Sequence, residues 1–159
     1  MVNQIILASK SKVRKEILEK NQIKCFVEPS NVDEDSVKDS LLKENATPEI
    51  ISKNLAELKA NKISQKKTGE LVLGADSVID LNGKIISKPT DRREALEILQ
   101  SLNGQTHNLI SSVCISLNGS MIWNYTDKAS LTMKQMSEKG LKNYLNKIND
   151  EALYAYNVY

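Results

Sequence analysis

The sequence has few of the residues that build disulfide frameworks and metal centres. Its two cysteines, Cys25 and Cys114, each lie inside a short apolar run, which excludes a disulfide scaffold and a cysteine-rich zinc site and predicts free thiols. The lone histidine, His107, excludes a centre built from several histidines and is interpreted as a structural residue in a strand. Chains that keep free thiols are typical of a reducing cytosol, so we expect a cytoplasmic protein.

Excess charge and long apolar runs are also missing. Lys and Arg number 22 against 20 Asp and Glu, so the net charge of +2 excludes wholesale binding of a nucleic acid polymer and adhesion to an anionic membrane. No apolar run approaches the roughly 20 residues that a membrane span needs, and the N-terminus lacks a signal-peptide pattern. A chain of 159 residues, 40% of them hydrophobic, predicts one compact domain over residues 1–159.

Helical and strand-like patterns alternate along the chain and predict an α/β domain with a mixed sheet. The Asn82-Gly83 and Asn118-Gly119 pairs predict two hairpins. The predicted strands are Val2–Ala8, Ile23–Val27, Glu70–Asp80, Lys84–Ile86, Thr106–Leu117 and Ser120–Met133. The predicted helices are Arg14–Asn21, one capped by Thr47 with Pro48 at its first position, one capped by Asp91 and ended by Asn103-Gly104, and one over Ser137–Ile148. The helix after Thr47 is expected to bury a face of Ile50, Ile51, Leu55, Leu58 and Ile63, and the last helix is expected to bury Leu141, Tyr144, Leu145 and Ile148.

The last ten residues, Asp150–Tyr159, are apolar and rich in tyrosine. We interpret them as the entrance to a strand that has no successor, so the chain is expected to stop in the middle of the fold. An unpaired strand edge with large side chains invites self-association.

A candidate anion site lies where the first predicted strand turns into a helix, at Ser9–Lys15. The free N–H groups of a first helical turn attract phosphate, and Arg14 can hold a phosphate through two parallel hydrogen bonds. Cations in a first turn oppose the helix dipole, which favours a function for them. The alternative is that Ser11 only caps the helix and that the cations are solvated.

Asp76 is a candidate catalytic carboxylate at the end of the apolar strand. Burying a carboxylate is costly unless it holds a metal, a proton or a cation, and no structural cation partner is obvious in the sequence. The alternative is that Asp76 caps a turn with Ser77. The acidic run Asp33–Asp35 is interpreted as a surface loop that either contributes to a Mg²⁺ site or is simply solvated. Lys59 and Lys88 either reach a site or are ordinary surface lysines.

Six short motifs follow one another along the chain. They are Leu7-Ala8-Ser9-Lys10-Ser11-Lys12-Val13-Arg14-Lys15, Val32-Asp33-Glu34, Leu55-Ala56-x-x-Lys59-Ala60, Gly74-Ala75-Asp76-Ser77, Lys88-Pro89-x-Asp91-x-x-Glu94-Ala95 and Leu102-x-Gly104-x-x-His107. Each is weak alone, but their order and spacing across about residues 3–150 resemble the Maf family of nucleotide pyrophosphatases. The resemblance implies a mixed twisted sheet with flanking helices in a two-lobed architecture like that of the inosine triphosphate pyrophosphatases. It also implies a cleft that splits a nucleoside triphosphate into a monophosphate and pyrophosphate with Mg²⁺ or Mn²⁺.

The resemblance also assigns roles to residues of this chain. The family's Ser-x-x-Arg-Arg turn would grip phosphate, its Glu and Asp would serve metal and catalysis, and its two cleft lysines would bind substrate. The positions that match are Ser11, Arg14, Lys15, Lys59 and Lys88 for substrate, Asp76 for catalysis, and Glu34 with Asp76 for the metal.

The chain departs from the family pattern at several of these positions. Lys12 stands where proline is usual, and Lys15 replaces the second arginine, which keeps the charge but loses the planar fork. Position 13 is Val, which resembles the branch acting on 7-methyl-GTP more than the dTTP and UTP branch. Family members continue beyond the region that corresponds to Tyr154–Tyr159, so the resemblance implies that a C-terminal part of the fold is missing.

Functions from three classes therefore remain open, and the third of them is an interaction module that uses the C-terminal tyrosines. The leading hypothesis is a metal-dependent hydrolase of nucleoside triphosphates in nucleotide metabolism. The rival is a non-catalytic nucleotide-binding or regulatory protein that retains the cleft. A homodimer is left open as well.

Overall fold

The computed structural model describes residues 4–158, which form six strands and six helices. In chain order they are β1 (Ile5–Leu7), α1 (Lys12–Lys20), β2 (Cys25–Val27), α2 (Glu34–Lys43), α3 (Pro48–Ser64), β3 (Val72–Leu81), β4 (Lys84–Ile86), α4 (Arg92–Leu102), β5 (Thr106–Leu117), β6 (Ser120–Thr132), α5 (Glu138–Lys147) and α6 (Asp150–Tyr156). The predicted strand Val2–Ala8 is present as β1, although Val2 lies outside the described residues.

The six strands form one mixed sheet in the order β2-β1-β3-β5-β6, and β4 pairs with β3. β1 runs parallel to both β2 and β3, whereas β4 is antiparallel to β3 with Asp80 opposite Ile85. Both predicted hairpins are present, and their Asn and Gly residues all have positive φ, which Asn and Gly tolerate best. The prediction of an α/β fold with a mixed sheet and flanking helices is confirmed.

The chain divides into two compact units. The first contains the residues up to Ser77 together with Ile110–Asp127, and the second contains Val78–Leu109 and the residues from Lys128 onward. The single domain over residues 1–159 stays a prediction. No helix within residues 4–158 is both long enough and apolar enough to cross a membrane.

The core of the first unit lies beneath α3. Thr47 caps this helix as predicted, and Ile6, Ala56, Ala60, Ile63, Val72 and Cys114 pack together. The predicted apolar face of α3 is partly wrong, because Ile50 and Leu58 are 47% and 39% exposed. The buried arc is centred near Ser52 and Lys59, which are seven residues apart and so lie on the same side of the helix. The spacing of the apolar residues alone therefore predicts the wrong buried face of α3, because polar residues such as Ser52 and Lys59 are buried as well.

Gly74 allows β3 and α3 to approach each other closely. A Cβ atom at this position would lie 2.1 Å from the carbonyl oxygen of Ala56 and 2.8 Å from the backbone nitrogen of Ala60. Both atoms belong to the helix backbone, so neither can move aside as a flexible side chain could. The helix therefore rests directly on the strand.

We expect Gly74→Ala to lower the free energy of unfolding by about 1–3 kcal/mol, the usual cost of forcing extra volume into a packed core. Denaturant titration of both proteins measures the difference. Gly140→Ala is the matched control, because its new Cβ would lie 3.3 Å from the flexible end of Met136. The control is expected to unfold at the same denaturant concentration as the parent or above it. Equal midpoints for the parent and Gly74→Ala would contradict the close packing.

The core of the second unit is formed by three helices. Ala95, Leu99 and Leu102 of α4 pack with Leu141 and Leu145 of α5 and with Leu153 of α6. The predicted cap at Asp91 is confirmed, and so is the left-handed Gly104 after α4. The structure also shows Ser137 as the cap of α5. Tyr144 is not buried as predicted, since it remains 36% exposed while its hydroxyl donates to the carbonyl oxygen of Val158.

The predicted strand at the C-terminal end is wrong, because residues 150–156 form helix α6. The side chain of Asn149 accepts a hydrogen bond from the backbone of Ala152, and Asp150 and Glu151 occupy the first turn, where the helix dipole favours negative charge. Leu153 is fully buried. This segment therefore presents no open strand edge, and Tyr159 lies outside the described residues.

The predicted acidic surface loop at Asp33–Asp35 is also wrong. Asp33 caps α2 by accepting a hydrogen bond from the backbone nitrogen of Ser36 at 3.1 Å, and Glu34 and Asp35 lie in the first turn of that helix. Negative side chains at a helix N-terminus are stabilised by the macrodipole. As a result, Glu34 belongs to an ordered helix start.

Candidate active site

The turn between β1 and α1 is held by two serine hydroxyls. Ser11 caps α1, and its side chain accepts a hydrogen bond from the backbone nitrogen of Arg14 at 3.3 Å. Ser9 is buried, and its hydroxyl oxygen accepts from the backbone nitrogen of Ser11 at 3.2 Å and from Nη1 of Arg14 at 3.1 Å. The N-terminus of α1 and the guanidinium of Arg14 are thus fixed to the same hydroxyl group.

Arg14 reaches from α1 to β3. Its Nη1 donates to the carbonyl oxygen of Ala75 at 2.9 Å, one residue before Asp76. Lys15, in contrast, is exposed on α1 and lies 3.6 Å from the carboxylate of Glu19. Among the three residues predicted to grip phosphate, the structure brings Ser11 and Arg14 together, whereas Lys15 pairs along its own helix.

Asp76 is buried within β3 and is only 4% exposed. It lies in the middle of this strand, which continues to Leu81, and not at its end as predicted. A cation partner exists after all, because Nζ of Lys59 lies 2.8 Å from Oδ1 of Asp76. The expectation of a carboxylate without a structural cation is therefore wrong. The alternative of a turn cap with Ser77 also fails, because the hydroxyl of Ser77 bonds to that of Ser111.

Lys59 contacts two carboxylates, one on helix α2 and one on strand β3. Its Nζ also lies 2.9 Å from Oε1 of Glu34, whose side chain is 37% exposed. Lys59 itself is buried, which settles the open question of its direction in favour of the interior. Residues 34, 59 and 76, which are distant in sequence, therefore form one charged cluster at α2, α3 and β3.

Burial raises the pKa of Asp76 above its ordinary value, and the nearby charge of Lys59 opposes the shift only in part. The folded protein therefore binds this proton more tightly than the unfolded chain does. The contribution of Asp76 to stability is largest in acid and falls as the pH rises from the ordinary aspartate pKa towards the raised one. Ionisation of Asp76 at neutral pH therefore lowers the free energy of unfolding.

The two carboxylates fit a hard divalent cation that also binds substrate. Oδ2 of Asp76 is buried and has no hydrogen-bond partner among residues 4–158. Within that range no cluster of three or more His, Cys, Asp or Glu side chains could hold a metal alone. Mg²⁺ is usually held by one or two carboxylates plus phosphate oxygens and water, which matches Glu34 and Asp76. The orphaned oxygen is the observation that supports the fit.

Two other predicted residues belong to the second unit. Lys88 is exposed in the segment between β4 and α4, and its role as a substrate-binding residue stays a prediction. His107 is 3% exposed in β5, in agreement with a structural residue.

Sequence reasoning missed Ser52. Its fully buried hydroxyl donates to the backbone carbonyl oxygen of Asp76 at 3.1 Å and fixes the strand at the position of the carboxylate. The spacing of seven residues between Ser52 and Lys59 is a signal that could have found it, since both lie on one side of a helix. No chemical motif marks this serine.

Comparisons with known proteins agree with one another on the family. Residues 4–155 match the family described as Maf-like protein. The chain is 77% identical over 159 residues to a nucleoside triphosphate pyrophosphatase of Pelagibacter ubique, covering all of this chain and 82% of that protein. It is 33% identical to a 7-methyl-GTP pyrophosphatase of Brucella abortus, covering all of this chain and 80% of that protein.

Similarity to solved structures is weaker. A dITP/XTP pyrophosphatase from Mycobacterium abscessus aligns with 84% of this chain and 75% of its own at 13% identity and a TM-score of 0.48. The family assignment follows from the match over residues 4–155 and from the 77% identity to the Pelagibacter ubique protein. The chain belongs to the Maf-like protein family.

Proposed function

We propose that the protein is a nucleoside triphosphate pyrophosphatase. Water attacks the α-phosphorus, the anhydride bond between the α- and β-phosphates breaks, and the products are a nucleoside monophosphate and pyrophosphate. The observation that carries the proposal is the buried contact of Lys59 with Asp76 and Glu34, next to the strand residue that holds Arg14. Two carboxylates and one ammonium group thus lie next to the strand residue that the guanidinium of Arg14 contacts, and both kinds of charge assist the hydrolysis of a polyphosphate. The name of the Pelagibacter ubique relative supports the same reaction.

Each residue of the site has a role in this proposal. Asp76 accepts the proton of the attacking water, since it is the buried carboxylate next to the strand residue that Arg14 contacts. Ser11 and Arg14 bind the triphosphate at the N-terminus of α1, where backbone N–H groups add to the attraction. Lys15 and Lys59 add positive charge from the same unit, and Lys88 is proposed as a further substrate-binding residue.

Glu34 and Asp76 would hold a divalent metal, Mg²⁺ or Mn²⁺. When bound, this ion stabilises the negative charge that develops on the phosphate oxygens. The chain would contribute two carboxylates, and phosphate and water would supply the remaining oxygen ligands.

The proposed base preference is for 7-methyl-GTP or a related nucleotide over dTTP and UTP. Val13 occupies a position on α1 that is 47% exposed, next to the phosphate-binding Arg14. The Brucella abortus relative is named a 7-methyl-GTP pyrophosphatase.

A nucleotide panel tests the activity. Purified protein with Mg²⁺ is incubated with 7-methyl-GTP, GTP, dTTP and UTP, and the release of pyrophosphate is measured. Release from at least one nucleotide, with the monophosphate as the second product, is the expected result. Binding of a triphosphate without release would favour the rival, a regulatory protein that retains the cleft.

The remaining expectations concern compartment and partners. We propose a cytoplasmic protein, consistent with the free state of Cys25 and Cys114, and a small-molecule substrate without a nucleic acid polymer or membrane partner. A homodimer is proposed on the exposed side chains of β6, where the rings of Trp123 and Tyr125 stack with centroids 6.4 Å apart. Sedimentation over a range of protein concentrations measures the oligomeric state.

A further inference from the structure

We propose that Lys59 competes with the divalent cation for the carboxylates of Glu34 and Asp76, so that free metal binds weakly until a triphosphate draws the ammonium group away. The inference rests on the proposed function and specifies how its site is loaded. Lys59 then has two successive partners, the carboxylate pair before nucleotide binds and the triphosphate in the complex. It serves as an internal counter-cation before it serves as a substrate ligand.

The geometry of the charged cluster of Glu34, Lys59 and Asp76 carries the first half of this proposal. Nζ of Lys59 lies 2.8 Å from Asp76 and 2.9 Å from Glu34, and the side chain of Lys59 is only 7% exposed. Solvent therefore screens this contact little, unlike that of a surface ion pair. A buried positive charge already occupies the space between the two carboxylates that would hold a metal.

The charges determine the direction of the effect. Glu34 and Asp76 together carry two negative charges, and Lys59 cancels one of them. A dication that approaches the pair meets the ammonium at short range, and repulsion in a buried site is far stronger than in water. Oδ2 of Asp76 has no hydrogen-bond partner among residues 4–158, so the ammonium leaves one carboxylate oxygen unused. The carboxylate pair therefore still has an oxygen that can bind a metal ion, although the ammonium group of Lys59 repels that ion.

Binding of a triphosphate relieves the competition between Lys59 and the metal ion. Arg14 is bonded to the carbonyl oxygen of Ala75, so a triphosphate held by Arg14 lies close to the neighbouring Asp76 and its partner Lys59. Phosphate oxygens accept hydrogen bonds from an ammonium group and carry more negative charge than one carboxylate. Release of Lys59 from the carboxylates then favours the metal, and by linkage each ligand raises the affinity of the other by the same factor.

The experiment measures Mn²⁺ binding to the nucleotide-free protein, by calorimetry or from the electron paramagnetic resonance signal of unbound Mn²⁺. Lys59→Met is expected to bind Mn²⁺ at least about tenfold more tightly than the parent, which corresponds to about 1.4 kcal/mol. Lys62→Met is the matched control, because Lys62 is on the same helix but its Nζ donates to the carbonyl oxygen of Asn31. The control is expected to bind Mn²⁺ with nearly the parent affinity.

A second comparison tests the release of Lys59. A non-hydrolysable triphosphate should raise the Mn²⁺ affinity of the parent by a larger factor than that of Lys59→Met. Unchanged or weaker binding of Mn²⁺ by Lys59→Met would overturn the proposal, and so would equal effects of the triphosphate on both proteins. If Glu34→Gln in the Lys59→Met background does not remove the gain, Mn²⁺ binds elsewhere and the proposal is also overturned.

If Lys59→Met does not fold, Lys59→Gln, which removes the charge but can still donate to Asp76, takes its place, and the rise of its thermal midpoint on adding Mn²⁺ should exceed that of the parent. Pyrophosphate release by the parent is measured separately. An active parent without the gain in Mn²⁺ affinity overturns this inference alone, whereas an inactive parent with the gain overturns the proposed reaction alone.

Discussion

Replacing Asp76 with Asn is expected to lower the rate of pyrophosphate release by about 10²- to 10⁴-fold, the usual contribution of a positioned general base. The amide cannot accept the proton of the attacking water and is a poorer ligand for Mg²⁺. The fold is expected to survive, because burial raises the pKa of Asp76 and so makes a neutral amide less costly at this position than at an exposed aspartate. The backbone of residue 76 also keeps its hydrogen bond from Ser52.

The measurement is the rate of pyrophosphate release at saturating nucleotide, with thermal unfolding recorded for the same samples. Asp80→Asn is the matched control on the same strand, where Asp80 accepts from the backbone nitrogen of Gly83 in the hairpin. It is expected to retain turnover. A parent-like rate for Asp76→Asn would remove Asp76 from the mechanism, whereas a large fall in its thermal midpoint would point to a structural role in holding Lys59.

Replacing Arg14 with Ala is expected to weaken triphosphate binding by about ten- to a hundredfold, because a hydrogen bond to a charged group contributes about 1.5–3 kcal/mol. Lys12→Ala should weaken it less, since Lys12 is exposed at the start of α1 and its charge is a point charge on a flexible chain. Titration with a non-hydrolysable triphosphate measures both affinities.

Arg14→Lys separates geometry from charge. Lysine keeps the positive charge but lacks the planar fork, so its affinity should fall between those of the parent and Arg14→Ala. If Arg14→Ala and Lys12→Ala lose affinity equally, the turn attracts the triphosphate as a diffuse basic patch and not through one positioned guanidinium.

Most of the helix and hairpin boundaries could be predicted because their signals are local. The capping residues Thr47 and Asp91, and both Asn-Gly pairs, depend on the conformation of a few neighbouring residues. The two missed helices, α2 and α6, share one cause. Each begins with an acidic first turn after a capping Asp or Asn, and a short acidic run of this kind is equally typical of a solvated loop. In α6 the tyrosines and apolar residues that follow favour a strand over a helix.

The site could be predicted from the sequence only in part. A helix start with Ser11 and Arg14 is a local pattern, and its anion-binding interpretation follows from the backbone. The meeting of residues 34, 59 and 76 depends on how α2, α3 and β3 pack, and no local spacing encodes that packing. Their grouping came from the family resemblance, and the ion pair between Lys59 and Asp76 became visible only in the structure.

Because α3 packs directly on β3 at Gly74, substitutions of the small residues at this contact should affect nucleotide binding. Lys59 follows Ala56 by three residues on the helix that Gly74 allows to rest on the strand, so the depth of that helix sets how far the ammonium extends towards Asp76. Positions 56, 60 and 74 carry no polar side chain, yet a bulkier residue at any of them would lift the lysine from its carboxylates. A random mutagenesis screen for loss of nucleotide affinity should therefore recover these small residues alongside the charged ones. Alleles of this class would change ligand binding without altering a single group that touches the ligand.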